Sequence, residues 1–528
     1  MTRFAWAVLA AVGVVSAGLA ADPPRPAVEV RMAAPADLGP VIEYTGGLFG
    51  QEETGKQFAG ILKTFADDDK GFEGVDLKRP VGAYVVLADK VEESTVVVMV
   101  PVADADAVVG FLSGKAGLDP KKDEKTGVYS LEVPNFPEKV FFRFADDYLY
   151  ATLKSDGGVD AAKLIPPKTF FGGKSAGLIS AAVHFDRIPA DLRKMVYGQL
   201  ELQLKEQAKG NDDPLQKRLQ EFLIDTGVGA VKTLLDDGET LAVAVDVDPK
   251  ADDWKLDVSV TPKKDTTLAK TLASWADRES VPATLTAAKN PMIALGMNFA
   301  LPPETKKQFA DLVDGLAKDA IDAAKDDQKQ VLKLVTDAVL PTLKGGDAQL
   351  GLVVTDAGKG KVGLTGAVKT VDGKEMEKVG KAFALFLPKE QGEFTPDADK
   401  AGERNVHKLK FAKPDEVPFG SDTLWLLTSD DLLAFATDEK ADGVKAVGTA
   451  KGAKAPMLSL EVSWVKFAGA TGTADADALR NLTASVFDGK PDGKDTLKLT
   501  ATGGKQLTVN VALKGKAFAF LAMTNQVK

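Results

Sequence analysis

The chain has 528 residues, of which 45% are hydrophobic and 27% are charged, and this balance is typical of a globular protein rather than a disordered one. Its formal net charge of −10 disfavours polyanions such as nucleic acid as partners. The chain contains no cysteine, which excludes disulfides, metal–thiolate sites and thiol catalysis together.

The N-terminus has the pattern of a secretory signal. Arg3 precedes an almost wholly apolar run, Phe4–Ala17, and Gly18–Ala20 then places small residues where signal peptidase reads them. The run of about fourteen residues is shorter than the roughly 20 that cross a bilayer. We therefore predict a signal peptide over residues 1–20 and an exported, periplasmic or extracellular chain with no transmembrane segment after signal removal. An uncleaved anchor is the alternative.

The clearest feature of the remaining sequence is an internal repeat. Residues 176–275 and 292–385 each predict a strand, two amphipathic helices, two alternating strands and a closing helix. Pro302-Pro303 opens the first helix of the later segment, at a position where proline's missing N–H costs nothing. Agreement over roughly a hundred residues makes coincidence a poor explanation.

Shorter versions of the same series are predicted at both ends of the chain. The first version has an opening strand at Val41–Tyr44 and a helix at Phe58–Phe65, while the last begins with a strand at Leu458–Val465. A group of strands followed by a helix is predicted between the first short series and the first long one, and again between the second long series and the last short one. The helix of the first group is placed at Val159–Leu164.

These elements predict an α+β protein, internally duplicated, with mostly antiparallel sheets and helices packed on one face. We place the first half at residues 21–280 and the second at 281–528, because Arg278–Lys289 is the best candidate boundary.

Three short motifs resemble catalytic ones, but their contexts are wrong. Gly50–Lys56 has the spacing of a phosphate-binding loop, but Gln57 replaces the hydroxyl residue that binds magnesium. Gly173–Gly177 spells Gly-x-Ser-x-Gly, but a strand is predicted after the serine instead of a helix. Ser463–Lys466 spells Ser-x-x-Lys, but on a predicted strand.

Histidine and carboxylates give no better candidates. His184 and His407 are the only histidines, and both are predicted to be ordinary strand residues. Asp104 and Asp106 lie at a predicted helix start, where they are expected to cap it. The sequence therefore assigns no catalytic, cofactor-binding or metal-binding residue, and predicts no cofactor.

Aromatic residues cluster once along the chain. Alternation at strand spacing predicts that they pack in a core, although a sugar- or lipid-binding surface would use the same residue types. The cluster consists of Phe141, Phe142, Phe144, Tyr148 and Tyr150, near Phe170 and Phe171.

Two stretches resemble a pattern found in secreted proteins of unknown function from planctomycete bacteria. They are Arg79–Val85 and Val96–Val102, the latter followed by Asp104, Asp106 and the helix to Leu112. With the repeat around them, they cover about a fifth of the chain. The resemblance implies an exported protein and carries no activity.

Our leading hypothesis is an exported, non-catalytic protein that binds an unknown protein or envelope component or has a structural role in the cell envelope. The duplicated scaffold and the missing catalytic residue sets motivate it. A carrier of an apolar or carbohydrate ligand is the alternative, and a hydrolase using carboxylates is the third reading.

Overall fold

A computed structural model describes residues 25–67, 72–153, 155–172, 177–207, 214–358, 360–386, 390–470, 475–488 and 493–524. These residues form two compact units. The first comprises residues up to Gln199 together with Thr233–Lys263, and the second comprises Leu200–Lys232 together with the chain from Lys264 onward. The predicted signal peptide, residues 1–20, lies outside the described residues. The boundary predicted between residues 280 and 281 stays a prediction.

The described elements from the first strand to the boundary at Lys263 begin and end as follows. They are β1 Val28–Met32, α1 Leu38–Leu48, α2 Glu52–Asp67, β2 Val81–Val86, β3 Thr95–Pro101, α3 Ala105–Gly114, β4 Lys121–Lys122, β5 Tyr129–Leu131, β6 Val140–Ala145, β7 Tyr148–Leu153, α4 Pro167–Phe171, β8 Ile179–His184, α5 Ala190–Gln207, α6 Pro214–Asp237, β9 Gly238–Asp248 and β10 Asp253–Pro262. Short 3-10 helices lie at Pro35–Asp37, Asp156–Val159, Ala161–Lys163 and Phe185–Arg187.

The described elements after Lys263 repeat this series. They are α7 Thr267–Ser274, β11 Glu279–Ser280, a 3-10 helix at Pro282–Ala287, β12 Ile293–Ala300, α8 Pro303–Ala323, α9 Asp326–Gly345, β13 Asp347–Gly358, β14 Lys361–Lys369, α10 Gly373–Phe386, β15 Gly392–Ala401, β16 Arg404–Phe411, β17 Thr423–Thr428, β18 Leu432–Ala436, α11 Asp442–Thr449, β19 Ala453–Lys454, β20 Leu458–Ser463, α12 Trp464–Ala470, α13 Asp475–Phe487, β21 Thr496–Thr502, β22 Leu507–Lys514 and α14 Gly515–Thr524.

Each unit contains an antiparallel sheet of ten described strands. In the first unit the strand order is β4-β5-β6-β7-β3-β2-β1-β8-β9-β10. In the second it is β15-β16-β17-β18-β14-β13-β12-β20-β21-β22. The two orders are the same when the ten strands of each sheet are numbered along the chain. The predicted fold class, α+β with internally duplicated antiparallel sheets, is confirmed.

The repeating module is a strand, two helices, a β-hairpin and a helix. It occurs four times along the described chain, beginning at β1, β8, β12 and β20. In each sheet the opening strands of two modules pair antiparallel, β1 with β8 and β12 with β20. The helix pair is shorter in the first and last modules, with 11 and 16 residues and 7 and 13 residues, than in the middle ones, with 18 and 24 and 21 and 20.

Period-two alternation places apolar side chains on one face of the β9–β10 hairpin. Val243 of β9 lies opposite Val258 of β10, and Val245 lies opposite Leu256, as their spacing predicts. The aromatic cluster packs in a core as predicted. Phe142, Tyr148 and Tyr150 are almost fully buried, and a hydrophobic core cluster of the first unit includes the two tyrosines with Tyr84 and Phe170.

The predicted opening strand at Val41–Tyr44 is wrong, because these residues lie within α1. Pro40 occupies the first turn of that helix, where its missing N–H is tolerated. The helix then packs closely on α2, since a Cβ on Gly46 would lie 3.1 Å from the Cα of Gly55. Packing of helix on helix overrides the strand preference of the β-branched residues. The opening strand is β1.

The helix predicted at Val159–Leu164 is also wrong, because two short 3-10 helices, Asp156–Val159 and Ala161–Lys163, replace it.

The predicted cap at Asp104 is confirmed, because its carboxylate accepts a hydrogen bond from the Ala107 N–H at 3.0 Å. Among the described helices, none combines the length and apolar character that a membrane span requires.

Candidate functional site

The phosphate-loop spacing at Gly50–Lys56 belongs to a turn between two helices. Gly50 has a φ of +71°, and α2 begins at Glu52, so most of the motif is already helical. Gly55 packs against α1, and Lys56 pairs with Glu52 at 2.6 Å. A phosphate needs a loop of free backbone N–H groups with an available lysine, but the N–H groups of Gly50, Gln51 and Gly55 already donate to carbonyls of the chain, and the lysine is paired.

The other two motifs do not form catalytic arrangements either. In Gly173–Gly177, the serine and its neighbours at 173–176 lie outside the described residues. Ser463 is buried at the end of β20 and donates a hydrogen bond to Asp495, whose carboxylate also accepts from the Val465 N–H at 3.1 Å. Lys466 donates to the Asn290 carbonyl at 2.7 Å. Ser463 and Asp495 therefore fix the start of α12.

His184 belongs to a charged network on the sheet of the first unit. Its Nε2 lies 3.1 Å from Glu29 Oε1, and its Nδ1 lies 3.2 Å from Thr240 Oγ1. Burial opposes ionisation of Glu29, but the hydrogen bond with His184 and the charges of Arg31 and Arg187 outweigh it and hold the pKa of Glu29 below its usual value. A cavity of about 130 Å³ lies beside this network, which is room for a few waters.

His407 lies in a cluster with two carboxylates, Glu377 of α10 and Asp397 of β15. One potential ligand atom from each of the three residues lies within 4.8 Å of the others. The ring is already satisfied, because Nδ1 accepts from the Asp397 N–H and Nε2 lies 3.0 Å from Thr428 Oγ1. Lys381 also pairs with both carboxylates, at 2.5 Å and 3.4 Å. A metal ion would have to displace these partners, so we assign the cluster a structural role.

The second unit contains a larger cleft, which we name the Trp275 cleft. Its volume is about 520 Å³, compared with about 130 Å³ and 180 Å³ for two other described cavities. Three chain segments form it: the residues that follow α7, the segment from the end of β19 towards β20, and the β21–β22 turn. Its lining residues are Trp275, Ala276, Asp277, Lys454, Ala455, Pro456, Met457, Thr502, Gly503, Gly504 and Lys505. The volume falls within the range typical of small-molecule sites.

The β21–β22 turn is fixed against the end of α7. The Gly504 N–H donates to the Leu272 carbonyl at 2.8 Å. A Cβ on Gly503 would lie 2.6 Å from both the Leu272 oxygen and the Trp275 Cβ, so only glycine allows this approach. The indole N–H of Trp275 donates to the Ala300 carbonyl at 2.7 Å. These contacts hold the aromatic wall and the turn in place without a ligand.

Asn298 of β12 holds the third segment. It is fully buried, and its side-chain amide donates to the Arg278 carbonyl at 2.8 Å and the Ala455 carbonyl at 3.4 Å. Its backbone N–H donates to Met457, and the Ala455 N–H donates to Arg278. The cleft therefore has a rigid frame and an open rim, where Lys454 and Asp277 form an exposed ion pair at 3.1 Å.

None of these cleft residues was predicted as functional from the sequence. They come from three segments, the outermost of which lie about 230 residues apart, and no spacing connects them. Gly503-Gly504, a turn between alternating strands, is the one local signal, and it indicates a hairpin rather than a site.

The chain was compared with protein-family models, with curated proteins and with solved structures. No family model matches, no curated protein matches and no solved structure matches. The planctomycete resemblance is neither supported nor contradicted by these comparisons.

Proposed function

We propose that this chain is an exported, non-catalytic binding protein associated with the cell envelope, and that the Trp275 cleft is its ligand site. One observation carries the proposal. The cleft is preorganised and of ligand size, but among the described residues its lining has no histidine and one carboxylate, Asp277, which is paired with Lys454. General acid–base catalysis usually recruits a histidine or a pair of carboxylates.

The described titratable clusters elsewhere support the same reading. His407 is enclosed by Asp397 and Thr428, and His184 by Glu29 and Thr240. Each ring uses both nitrogens in contacts within the chain. Such groups stabilise a fold and leave no free base directed at a substrate, which argues against a hydrolase that would use them.

Export is proposed from the sequence, because Arg3, the apolar run Phe4–Ala17 and the small residues Gly18–Ala20 form a signal pattern. Association with the cell envelope is a separate part of the proposal. An exposed apolar stripe on α2 supports it, since Phe58, Ile61 and Phe65 are 56%, 49% and 37% exposed. This stripe favours contact with another envelope component as a second, separate role.

The proposal is tested with the full chain, tagged at its C-terminus and produced in its own host. We expect recovery in the envelope fraction and a small molecule retained in native mass spectrometry. We also expect no turnover of a panel of ester and glycoside substrates. Asp277→Asn is the informative variant, because turnover that this change abolishes would show that the cleft is catalytic and would overturn the proposal.

A further inference from the structure

We infer that the Trp275 cleft binds an acidic carbohydrate, through an aromatic wall and a positively charged rim. This inference rests on the proposed binding function, because it names the ligand class of the same site. Three features of the cleft support this ligand class: its aromatic wall, the positive charge of its rim and the backbone groups that are already hydrogen-bonded within the chain.

The wall of the cleft suits the apolar face of a sugar ring. Trp275 is fixed by its hydrogen bond to Ala300 and by an edge-on contact with Phe299, whose ring centroid lies 6.4 Å away. Pro456 and Met457 extend the apolar lining. A pyranose presents C–H groups on one face and hydroxyls at its edge, which matches an amphipathic aromatic wall beside polar groups. Because the tryptophan is already held, binding does not have to order it.

The rim is positive although the protein as a whole is negative. Two lysines, Lys454 and Lys505, and one carboxylate, Asp277, line the cleft, whereas the whole chain carries a formal charge of −10. Lys454 is paired with Asp277. Lys505 is exposed and forms no ion pair within the described part of the chain. The ammonium group of Lys505, which forms no ion pair in the described part of the chain, lies beside an apolar wall, and this combination favours a ligand that joins a ring to a carboxylate.

The backbone of the cleft argues against a peptide strand as the ligand. Strand addition needs a row of free N–H and C=O groups. The Ala455 N–H and carbonyl and the Met457 carbonyl are already bonded to Arg278 and Asn298. Gly504 donates to Leu272. A purely apolar chain fits no better, because its binding would desolvate Lys454 and Asp277 without replacing their contacts with water.

The test is calorimetric titration of the full chain with tetragalacturonate, using its carboxyl-reduced neutral form as the matched ligand. We expect the acidic tetrasaccharide to bind at least five times more tightly than the neutral one and to weaken as salt increases. Lys505→Gln should weaken binding about three-fold, in the range usual for one exposed charge contact. Trp275→Phe should weaken it further. Lys451→Gln, which removes an exposed lysine outside the lining, is the control and should leave the affinity unchanged.

Equal affinity for the two tetrasaccharides, an effect of Lys451→Gln as large as that of Lys505→Gln, or no binding of either sugar would overturn the inference. The affinity of Trp275→Phe is used only when its thermal unfolding matches that of the parent chain. When it does not, Lys505→Gln alone tests the inference, since Lys505 is exposed. A chain that retains a ligand from its own host but does not bind tetragalacturonate contradicts this inference and leaves the proposed function standing. Cleavage of the tetrasaccharide would instead contradict the proposed function while supporting the ligand class.

Discussion

His407 shows at the residue scale how a polar group becomes structural. Burial disfavours its charged form and lowers its pKa below the ordinary value, although Asp397 and Glu377 act in the opposite direction. The neutral ring accepts at Nδ1 from the Asp397 N–H, so Nε2 carries the proton and donates to Thr428. One tautomer of the ring thus connects strands β15, β16 and β17.

This environment predicts a pH dependence of stability. Because the pKa of His407 is lower in the folded chain, the unfolded chain takes up a proton at a higher pH than the folded chain does. The free energy of unfolding should therefore decrease as pH falls below about 6.5, the ordinary histidine value, towards the lower folded pKa. Urea unfolding between pH 8 and pH 5 would measure this slope. In His407→Gln the slope should be smaller, and an unchanged slope would contradict the prediction.

The sequence predicted the strand positions of both histidines but not their partners. His184 lies at the end of β8 and His407 lies on β16, as alternation indicates. Glu377 and Asp397 were indistinguishable from the other carboxylates, since their approach to His407 depends on where α10 and the β15–β16 hairpin meet. The Trp275 cleft was not predicted for the same reason, because it forms only where three distant segments of the chain meet.

At the scale of single elements, α2 exposes much of its apolar character. Gly55 and Ala66 are buried, whereas Phe58, Ile61 and Phe65 keep between a third and somewhat over half of their surface exposed. Phe65 contacts the ring of Phe72, with centroids 4.5 Å apart. An amphipathic helix usually buries its aromatic stripe against its own core. In this helix the small residues provide the packing face, because only they allow the close approach of α1.

This arrangement predicts that the stripe contributes little to stability. The double change Phe58→Gln and Ile61→Gln should alter the free energy of unfolding by about 1 kcal/mol or less, because roughly half of each side chain is in contact with water already. Urea unfolding measures this effect. Ala66→Gln on the same helix is the matched control and should cost about 1–3 kcal/mol by overpacking a buried position.

A loss of several kcal/mol in the double variant would show that the stripe is part of the core. If the stripe instead contacts an envelope component, the double variant should fold normally and appear less in the envelope fraction than the parent chain. Unchanged recovery would remove the support that the stripe gives to envelope association.

At the scale of the whole chain, the compact units are not continuous in sequence. Leu200–Lys232, which holds most of α6, belongs to the second unit. Within that unit, the rings of Phe222 and Phe309 have centroids 5.8 Å apart, and Arg218 pairs with Asp319 at 3.0 Å. A cut at residue 280 would therefore remove packing partners of α8.

This division predicts the behaviour of fragments. Residues 264–528, which keep the rest of the second unit, should unfold at a lower temperature than residues 200–528, because the apolar face of α8 loses its contact with Phe222. We expect a difference on the order of 5 °C in calorimetry. Phe222→Ala in the longer fragment should reproduce part of the loss. Equal melting temperatures would show that Leu200–Lys232 contributes nothing to the second unit.

The sequence by itself determined the repeated module and the fold class, because period-two and helical periodicities are local consequences of side-chain geometry. The middle modules were predicted element by element, since their helices are long and strongly patterned. The first module was not, because close packing of Gly46 and Gly55 decides that α1 is a helix. Only the tertiary structure decided the strand order and the Trp275 cleft. Both depend on which distant segments pack together. The apolar surface that the folded chain as a whole can bury decides that packing, and no local sequence pattern records it.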